Sequence, residues 1–132
     1  MQLSDVYKVF IDDERLPQQC LTFMEDLEYA DAWIIVRTYR EFVEIVRNNY
    51  QVHGILPKVI SFDHDLGFTH EGDEQVERSG LDCAKFMVDF CATKKLPFPR
   101  YKVHSRNVVG RENIIAQIEF YKKHYKNEKQ NS

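Results

Sequence analysis

The sequence has few cysteines, no long hydrophobic run and no excess of basic charge. Its cysteines number three, Cys20, Cys83 and Cys91, and none forms a CxxC pair. The simplest interpretation is reduced thiols in a hydrophobic core. No stretch approaches the length of a membrane span, and the first five residues carry no basic leader segment. We therefore expect a cytoplasmic protein that does not enter a membrane.

The balance of charge bears on the kind of partner. The formal net charge is −3 over 132 residues, whereas proteins that bind tightly along duplex nucleic acid usually present a strongly basic face. We therefore expect no strong duplex binding, and the composition leaves room for a local basic rim around an acidic pocket. This length, with 43% hydrophobic residues, predicts one domain over residues 1–126 and a polar tail over 127–132. The oligomeric state stays open.

Short apolar, β-branched segments alternate along the sequence with segments of helical spacing. Four segments are predicted to be strands: residues 7–11, 32–38, 58–62 and 100–104. Most of them are nearly continuous hydrophobic runs, which are typical of strands covered on both faces. Helices are predicted after Thr38 and Ser79, each followed three residues later by an acidic residue, and from Arg111 onward. This alternation predicts an α/β fold with a small, doubly wound, four-stranded parallel sheet.

Two segments have weaker patterns. Residues 14–31 contain Pro17 and a short apolar patch, and we expect a short helix there rather than an irregular crossover. Residues 68–78 contain Gly72, five charged residues and no apolar periodicity. For this second segment we expect a mobile loop at the mouth of a site, either a substrate lid or a plain surface loop.

Acidic side chains follow two of the predicted strands, and an imidazole follows a third. Asp12 and Asp13 follow the first strand, Asp63 the third, and His104 closes the fourth. Ligands of open parallel sheets bind beyond the carboxyl ends of the strands, so we expect these groups to converge. Adjacent carboxylates repel each other unless they share a proton or a cation, and hard oxygen ligands favour Mg²⁺ or Mn²⁺. We therefore predict a divalent metal held by Asp12, Asp13 and Asp63.

Several of these residues also suit proton transfer. His104 is predicted to protonate a leaving oxygen, because an imidazole has a pKa near working pH. His64 or Asp65 is predicted to orient or deprotonate a water. Structural alternatives stay open for the imidazoles, since His104 could be a satisfied buried histidine and His64 could pack against a strand. The acids have alternatives too, as an aspartate-rich turn or, for Asp13, a helix cap.

Four further side chains near these strand ends suit a phosphate. Arginine pairs with phosphate through two parallel N–H groups, and a helix N-terminus offers free backbone amides. The expected substrate-binding residues are Arg15, Ser105, Asn107 and Arg111. For each arginine, an ordinary surface salt bridge is the alternative.

Four ordered motifs carry a resemblance to a known family. They are Phe-Ile-Asp-Asp-Glu-Arg-Leu-Pro (10–17), Ile-Ser-Phe-Asp-His-Asp-Leu-Gly (60–67), Ser-Gly-Leu-Asp (79–82) and Val-His-Ser-Arg-Asn-Val-Val-Gly-Arg (103–111). The set resembles that of the cyclic-phosphate-processing receiver-like domains, which are relatives of the response-regulator receiver domains. The resemblance covers essentially the whole sequence except the tail.

The resemblance implies a receiver-like, flavodoxin-like core and a role on 2′,3′-cyclic phosphate ends, in RNA repair or in phage–host settings of bacteria. By similarity to receiver domains, Asp12 and Asp13 stand where the metal-binding acidic pair lies, and Asp63 stands where the phosphoacceptor lies. Two departures argue against a phospho-relay switch. His104 replaces the Ser or Thr that ends the fourth strand of receivers. We also expect no fifth strand–helix unit, and hence no counterpart of its phosphate-contacting lysine.

We therefore expect a metal-dependent phosphoesterase, a hydrolase that opens a cyclic phosphate at an RNA terminus or in a cyclic nucleotide. Two other classes stay open. A signalling receiver would accept a phosphoryl group on Asp63. A non-catalytic module would bind a nucleotide, or a partner in a phage–host conflict, without turnover.

Overall fold

Strands and helices alternate through the described part of the chain. The computed structural model describes residues 7–131, except for the side chains of residues 69, 70 and 129–131. The strands are β1 (Lys8–Ile11), β2 (Ile34–Val36), β3 (Val59–Phe62), β4 (Asp65–Glu71), β5 (Glu74–Ser79) and β6 (Arg100–Val103). The helices are α1 (Pro17–Phe23), α2 (Tyr39–His53), α3 (Gly80–Lys94) and α4 (Val108–Asn131), with a 3₁₀ helix at Leu27–Ala30.

Four of the strands form one parallel sheet in the order β2-β1-β3-β6. In the two central strands Phe10 lies opposite Ser61, and Ser61 lies opposite Lys102 of β6. Strands β4 and β5 form a separate antiparallel hairpin. The prediction of a small, doubly wound, four-stranded parallel sheet is confirmed, and within residues 7–131 this sheet has no fifth strand.

The side chains of β1 alternate between two hydrophobic cores. Ile11 lies in the larger core, to which α2, α3 and α4 contribute. Phe10 lies on the opposite face, in a smaller core with Cys20 of α1 and Tyr29 of the 3₁₀ helix. Because the central strands are covered on both faces, their sequences are almost uninterrupted hydrophobic runs.

Side-chain hydrogen bonds fix where α2 and α3 begin. Thr38 Oγ1 accepts from the backbone N–H of Glu41 over 3.1 Å. Asp82 Oδ2 accepts from the backbone N–H of Ser79 over 2.8 Å, and Ser79 Oγ accepts in return from the N–H of Asp82. Each bond satisfies a backbone donor that the first helical turn leaves free, and both predicted helix starts are confirmed.

Two segments differ from the prediction, and a third agrees with it. The mobile loop expected over residues 68–78 is instead the β4–β5 hairpin, because a two-residue turn that begins with Gly72, at φ 65°, lets the strands pair through their backbones without a hydrophobic stripe. Helix α4 continues through Asn131, where a polar tail was expected from residue 127, because neither Gly nor Pro interrupts the helical hydrogen bonds. The short helix expected within 14–31 is α1.

The cysteines agree with the expectation of reduced thiols in a hydrophobic core. Cys20, Cys83 and Cys91 are free and buried. Burial raises the pKa of the Cys20 thiol to about 11 and that of Cys91 to about 12, so both stay protonated and unreactive at neutral pH. Among the described residues, no helix is both long enough and apolar enough to cross a membrane.

Ion pairs join the second face of the sheet to the 3₁₀ helix. Glu28 accepts from Lys8 Nζ and Lys102 Nζ, each over 2.9 Å, and from Arg100 Nη2 over 2.6 Å. Burial opposes the charge on Glu28, but the hydrogen bonds from the two lysines outweigh it and lower the pKa of Glu28 to about 2. These four residues are called the glutamate network below.

Candidate functional site

Three strand ends bring two carboxylates and an imidazole together. Asp12 follows β1, Asp63 follows β3 and His104 follows β6, all at the carboxyl edge of the sheet. One oxygen or nitrogen atom from each of the three lies within 4.8 Å of the others, and all three side chains are buried. The predicted convergence of Asp12, Asp63 and His104 is therefore confirmed. Its cause is the parallel order of the strands, which places their ends side by side.

Asp12 is held by donors on both of its carboxylate oxygens. Oδ1 accepts from the backbone N–H groups of Glu14, over 2.9 Å, and Arg15, over 2.8 Å. Oδ2 lies 3.0 Å from Nε2 of His104. Burial favours the neutral acid, but these hydrogen bonds outweigh it, so the pKa of Asp12 lies below its ordinary value. Asp12 is therefore an ionised carboxylate with a fixed orientation.

A buried series of hydrogen bonds continues behind Asp12. His104 Nδ1 lies 2.7 Å from Ser61 Oγ, and Ser61 Oγ lies 2.7 Å from the Tyr29 hydroxyl. Because the ionised Asp12 can only accept, Nε2 of His104 carries the proton and donates it. Ser61 Oγ lies between Nδ1 of His104 and the Tyr29 hydroxyl and is hydrogen-bonded to both. Asp12, His104, Ser61 and Tyr29 are called the buried series below.

The position of His104 changes the role predicted for it. Its side chain is 0% exposed, and its ring stacks on Phe10 with centroids 4.4 Å apart and planes 8° apart. Both ring nitrogens are engaged within the protein. His104 therefore contacts Asp12 rather than the cleft, and the direct transfer of a proton to a leaving oxygen is not what this geometry provides.

Asp13 and Asp63 have carboxylates that disfavour ionisation. Burial and the negative charge of Asp12 raise the pKa of Asp63. Partial desolvation by the surrounding protein, followed by the charges of Asp12 and Glu14, raises the pKa of Asp13. In both cases the negative charge of Asp12 adds to the effect of burial, and a bound cation would oppose this destabilisation of the ionised form.

These acids line a cleft of about 230 Å³ at the edge of the sheet. Its lining residues are Asp12, Asp13, Glu14, Arg15, Asp63, Asp65, Ser105, Arg106 and Asn107. Two larger clefts, of about 610 and 590 Å³, contain none of the predicted site residues. The small polar cleft is therefore the candidate site, because it is lined by the predicted carboxylates although its volume is the smallest of the three.

Besides His104, two predicted site residues do not line the cleft. His64 packs beneath the first turn of α4, where a Cβ atom on Gly110 would come within 2.4 Å of its ring. Its Nδ1 lies 2.8 Å from Oδ1 of Asp65, so it contacts one cleft carboxylate without entering the cleft. Arg111 lies on the exposed surface of α4, one turn beyond the cleft. The packing alternative for His64 and the surface alternative for Arg111 are the ones that the geometry favours.

Ser105 and Asn107 line the cleft and also shape the loop between β6 and α4. Ser105 Oγ accepts from the backbone N–H of Asn107 over 3.1 Å. Asn107 Oδ1 accepts from the N–H of Gly110 over 2.9 Å. Asn107 thus caps α4 and occupies one of the amides that were expected to hold a phosphate. The loop is fixed by its own side chains.

Sequence reasoning passed over Arg106 and Glu14, which both line the cleft. Arg106 lies within the motif that follows β6, between the two residues that shape the loop. Its guanidinium carbon lies 4.7 Å from the ring centroid of Phe23, and that of Arg15 lies 5.5 Å from the same centroid. The adjacency of Arg106 to His104 and Ser105 was the available signal, and Arg111 was preferred in its place.

Fold and site together define a receiver-like domain. The model of the cyclic-phosphate processing receiver domain matches residues 7–120, and the chain belongs to this family. No curated protein and no solved structure matches the chain. The family assignment indicates a receiver domain involved in cyclic-phosphate processing.

The site residues fit a divalent cation. Receiver domains typically bind Mg²⁺ through acidic residues, and hard carboxylate oxygens are its usual protein ligands. Asp12 and Asp63 lie within the three-residue group described above, and Asp13 lines the same cleft. Burial, together with the negative charge of Asp12, raises the pKa values of Asp13 and Asp63, and a bound cation would stabilise both ionised carboxylates. His104 belongs behind Asp12, as the hydrogen-bonding partner that orients a ligating carboxylate.

Proposed function

We propose that the cleft hydrolyses a cyclic phosphate, at a 2′,3′-cyclic RNA end or in a cyclic nucleotide, with the help of a divalent cation. The convergence of Asp12, Asp63 and His104 at the edge of the sheet, in a chain of the cyclic-phosphate processing family, carries this proposal. Asp12, Asp13 and Asp63 would hold Mg²⁺ or Mn²⁺, which supplies charge neutralisation at the phosphate.

The protein groups in the cleft divide the remaining work. Asp65 stands at the cleft with its side chain 73% exposed, and His64 fixes one of its oxygens. Asp65 is therefore the carboxylate best placed to orient or deprotonate the attacking water. His104 acts through Asp12, whose carboxylate it holds in place. The oxygens of the phosphate would be bound by Arg15, Ser105 and Asn107.

A signalling receiver is the second candidate, and the position of Asp63 favours it. Asp63 follows the central strand β3 and opens to the cleft, where a phosphoryl donor could reach it. A phosphoacceptor must attack as an ionised carboxylate, whereas burial and Asp12 raise the pKa of Asp63. A cation in the cleft would favour the ionised form of Asp63, so the same metal would assist both candidates.

Product analysis separates the candidates. The protein is mixed with RNA that ends in a 2′,3′-cyclic phosphate, and separately with cyclic mono- and dinucleotides, with Mg²⁺, with Mn²⁺ or with EDTA. We expect metal-dependent ring opening, read by ³¹P NMR and mass spectrometry. Asp63→Asn should abolish it, and Asp73→Asn, in the turn of the hairpin outside the cleft, should not. Intact mass after incubation with a small phosphodonor tests the receiver.

The outcomes are distinct. A stable phosphoryl adduct on the wild type that Asp63→Asn removes, without ring opening, supports the signalling receiver and contradicts the hydrolase. Nucleotide binding with neither turnover nor adduct supports a non-catalytic module.

A further inference from the structure

Two arginines from different parts of the chain share one aromatic ring at the rim of the cleft. Arg15 comes from the loop between β1 and α1, and Arg106 comes from the loop between β6 and α4. Their guanidinium carbons lie 5.5 and 4.7 Å from the ring centroid of Phe23. Both arginines line the acidic cleft. Phe23 ends α1 and packs against the smaller core, so the ring is anchored to the body of the domain.

Arg15 is fixed at both its backbone and its side chain. Its N–H donates to Asp12, and its carbonyl accepts from Arg37 Nη1 over 2.6 Å. Its own Nη1 is buried, has no hydrogen-bond partner among the described residues and lies 3.9 Å from Asp12 Oδ2. A buried N–H without an acceptor is costly. Arg15 thus keeps an unmet donor beside the carboxylates of the cleft.

Arg106 is held by its neighbours and by Phe23. The flanking residues Ser105 and Asn107 are tied into the loop by their own hydrogen bonds. The guanidinium of Arg106 lies over the ring at a distance typical of a cation–π contact. Such a contact does not consume the guanidinium N–H groups as hydrogen-bond donors, and no side-chain hydrogen bond of Arg106 is formed among the described residues.

Two guanidiniums at the rim of one cleft, whose N–H groups are not all taken up by acceptors among the described residues, match the non-bridging oxygens of one phosphate. Arginine binds phosphate through parallel N–H···O bonds, which a lysine ammonium cannot reproduce. We propose that Phe23 holds Arg15 and Arg106 as a two-arginine clamp, and that Arg106 is a phosphate-binding residue of this site. The identity of the phosphate as a reacting cyclic ester rests on the proposed function, whereas the clamp itself does not.

The clamp also defines the class of substrate. It contacts phosphate oxygens, which every nucleotide carries, and the ring of Phe23 is already covered by guanidinium groups. Base stacking on Phe23 is therefore not the means of recognition at this rim. The site selects the phosphate end, and we expect substrates that differ only in the terminal base to react with similar kcat/KM.

Binding of inorganic phosphate, followed by calorimetry and by the NMR signals of the arginine side chains, tests the clamp without turnover. Arg106→Ala should weaken binding by about 10–100-fold, the effect of losing charge-assisted hydrogen bonds. Arg106→Lys should recover only part of the loss. Phe23→Leu keeps both charges and should still weaken binding, whereas Phe23→Tyr keeps the ring and should restore it. Arg47→Ala is the matched control, because Arg47 lies 5.3 Å over Phe86 outside the cleft.

Turnover provides the second measurement. Arg106→Ala should raise KM more than it lowers kcat, because the lost contact holds the phosphate in both the ground and the transition state. Phosphate binding by Arg106→Ala that equals the binding of wild type and Arg47→Ala would overturn the clamp, as would an unchanged Phe23→Leu variant. Phosphate binding that depends on Arg106, without any ring opening by the wild type, supports the clamp and overturns the hydrolase. Ring opening by the wild type, together with an unchanged KM in Arg106→Ala, supports the hydrolase and overturns the clamp.

Discussion

The two sides of the Asp12–Asp63 pair differ in how completely their polar groups are satisfied. On the buried side, Asp12, His104, Ser61 and Tyr29 bond to one another in a continuous series. On the cleft side, Asp65 is exposed and a buried donor of Arg15 has no partner among the described residues. Side chains whose polar groups are all hydrogen-bonded keep a fixed geometry, whereas charged side chains without partners are available to bind a ligand. The difference therefore separates residues that position from residues that bind.

The same contrast is visible in the acids themselves. Hydrogen bonds from three donors outweigh burial and lower the pKa of Asp12. Asp63 lies beside it, and burial together with the charge of Asp12 raises its pKa. Two aspartates at neighbouring strand ends thus have pKa values shifted in opposite directions. The ionised form of Asp12 therefore stabilises the fold, whereas the ionised form of Asp63 destabilises it.

Exchanging each aspartate for its amide gives the largest expected effects. Asp63→Asn should stabilise the metal-free protein by about 1 kcal/mol, because it removes one of two like charges. Asp12→Asn should destabilise it by about 1–3 kcal/mol, because the amide keeps one acceptor oxygen but sets an NH₂ group against a donor that the carboxylate satisfies. Both should lower ring opening by about 10²-fold or more, because each removes a cation ligand. Urea unfolding with EDTA and initial rates with Mg²⁺ provide the measurements.

This experiment tests whether the two substitutions change the free energy of unfolding in opposite directions. Two substitutions that both stabilise the metal-free protein would show that Asp12 carries uncompensated charge as well. The distinction between the two sides of the pair would then be lost.

Breaking the buried series away from the cleft should have a smaller effect. Ser61→Ala removes the hydrogen-bond partner that His104 Nδ1 and the Tyr29 hydroxyl share. It should weaken Mn²⁺ affinity by about 10-fold or more, as expected for a residue behind a metal ligand. Tyr29→Phe should act in the same direction and less strongly. Tyr7→Phe is the control, because Tyr7 is also buried but lies outside the series.

Electron paramagnetic resonance of Mn²⁺ gives the affinities, and ¹⁵N NMR of the imidazole reports whether Nε2 carries the proton in the wild type. If Ser61→Ala and Tyr7→Phe bind Mn²⁺ equally well, the series has no part in holding Asp12. A wild-type imidazole protonated only at Nδ1 would contradict the direction of the hydrogen bonds.

The smallest expected effect on stability comes from the glutamate network, in which the negative charge of Glu28 is paired with cationic side chains. The folded-state pKa of Glu28 is about 2, below its ordinary 4.5. Its stabilisation is therefore present above about pH 4.5 and is lost as the pH falls towards 2. Glu28→Gln should cost no more than about 1 kcal/mol at neutral pH, because the network is partly solvated, and this cost should shrink as the pH approaches 2, where Glu28 is half protonated in the folded protein.

Urea unfolding between pH 2 and 7 measures how the cost of Glu28→Gln in the free energy of unfolding changes with pH. Glu44→Gln is the control, since Glu44 pairs with Arg40 on the exposed surface of α2 and should change the stability less. A cost of Glu28→Gln that stays constant across the pH range would mean that the charge of Glu28 is not what the lysines stabilise.

Part of the molecule follows from local sequence patterns. The hydrophobic runs predicted the four parallel strands, and the acidic residues after Thr38 and Ser79 predicted two helix starts. The hairpin at 65–79 was missed, because its strands are mostly polar and pair through their backbones across the turn at Gly72. No side-chain periodicity marks such a segment.

The site was only partly predictable. Asp12, Asp63 and His104 could be placed together because parallel strands end at one edge, and this needs only the strand assignments. Whether His104 faces the cleft or the core depends on Phe10 and Ser61, which enclose it from two other strands. The choice between Arg106 and Arg111 likewise depends on how α4 leaves the sheet.

The sequence by itself determined which residues end the strands, and hence that acids and an imidazole meet at one edge of the sheet. Only the tertiary structure decided which of them are satisfied inside the protein and which face a ligand. The physical reason is that strand formation follows from short-range patterns of hydrophobicity. Burial and hydrogen bonding at the site depend instead on side chains far apart in the chain, such as Phe23 beneath Arg106 and Tyr29 behind Ser61.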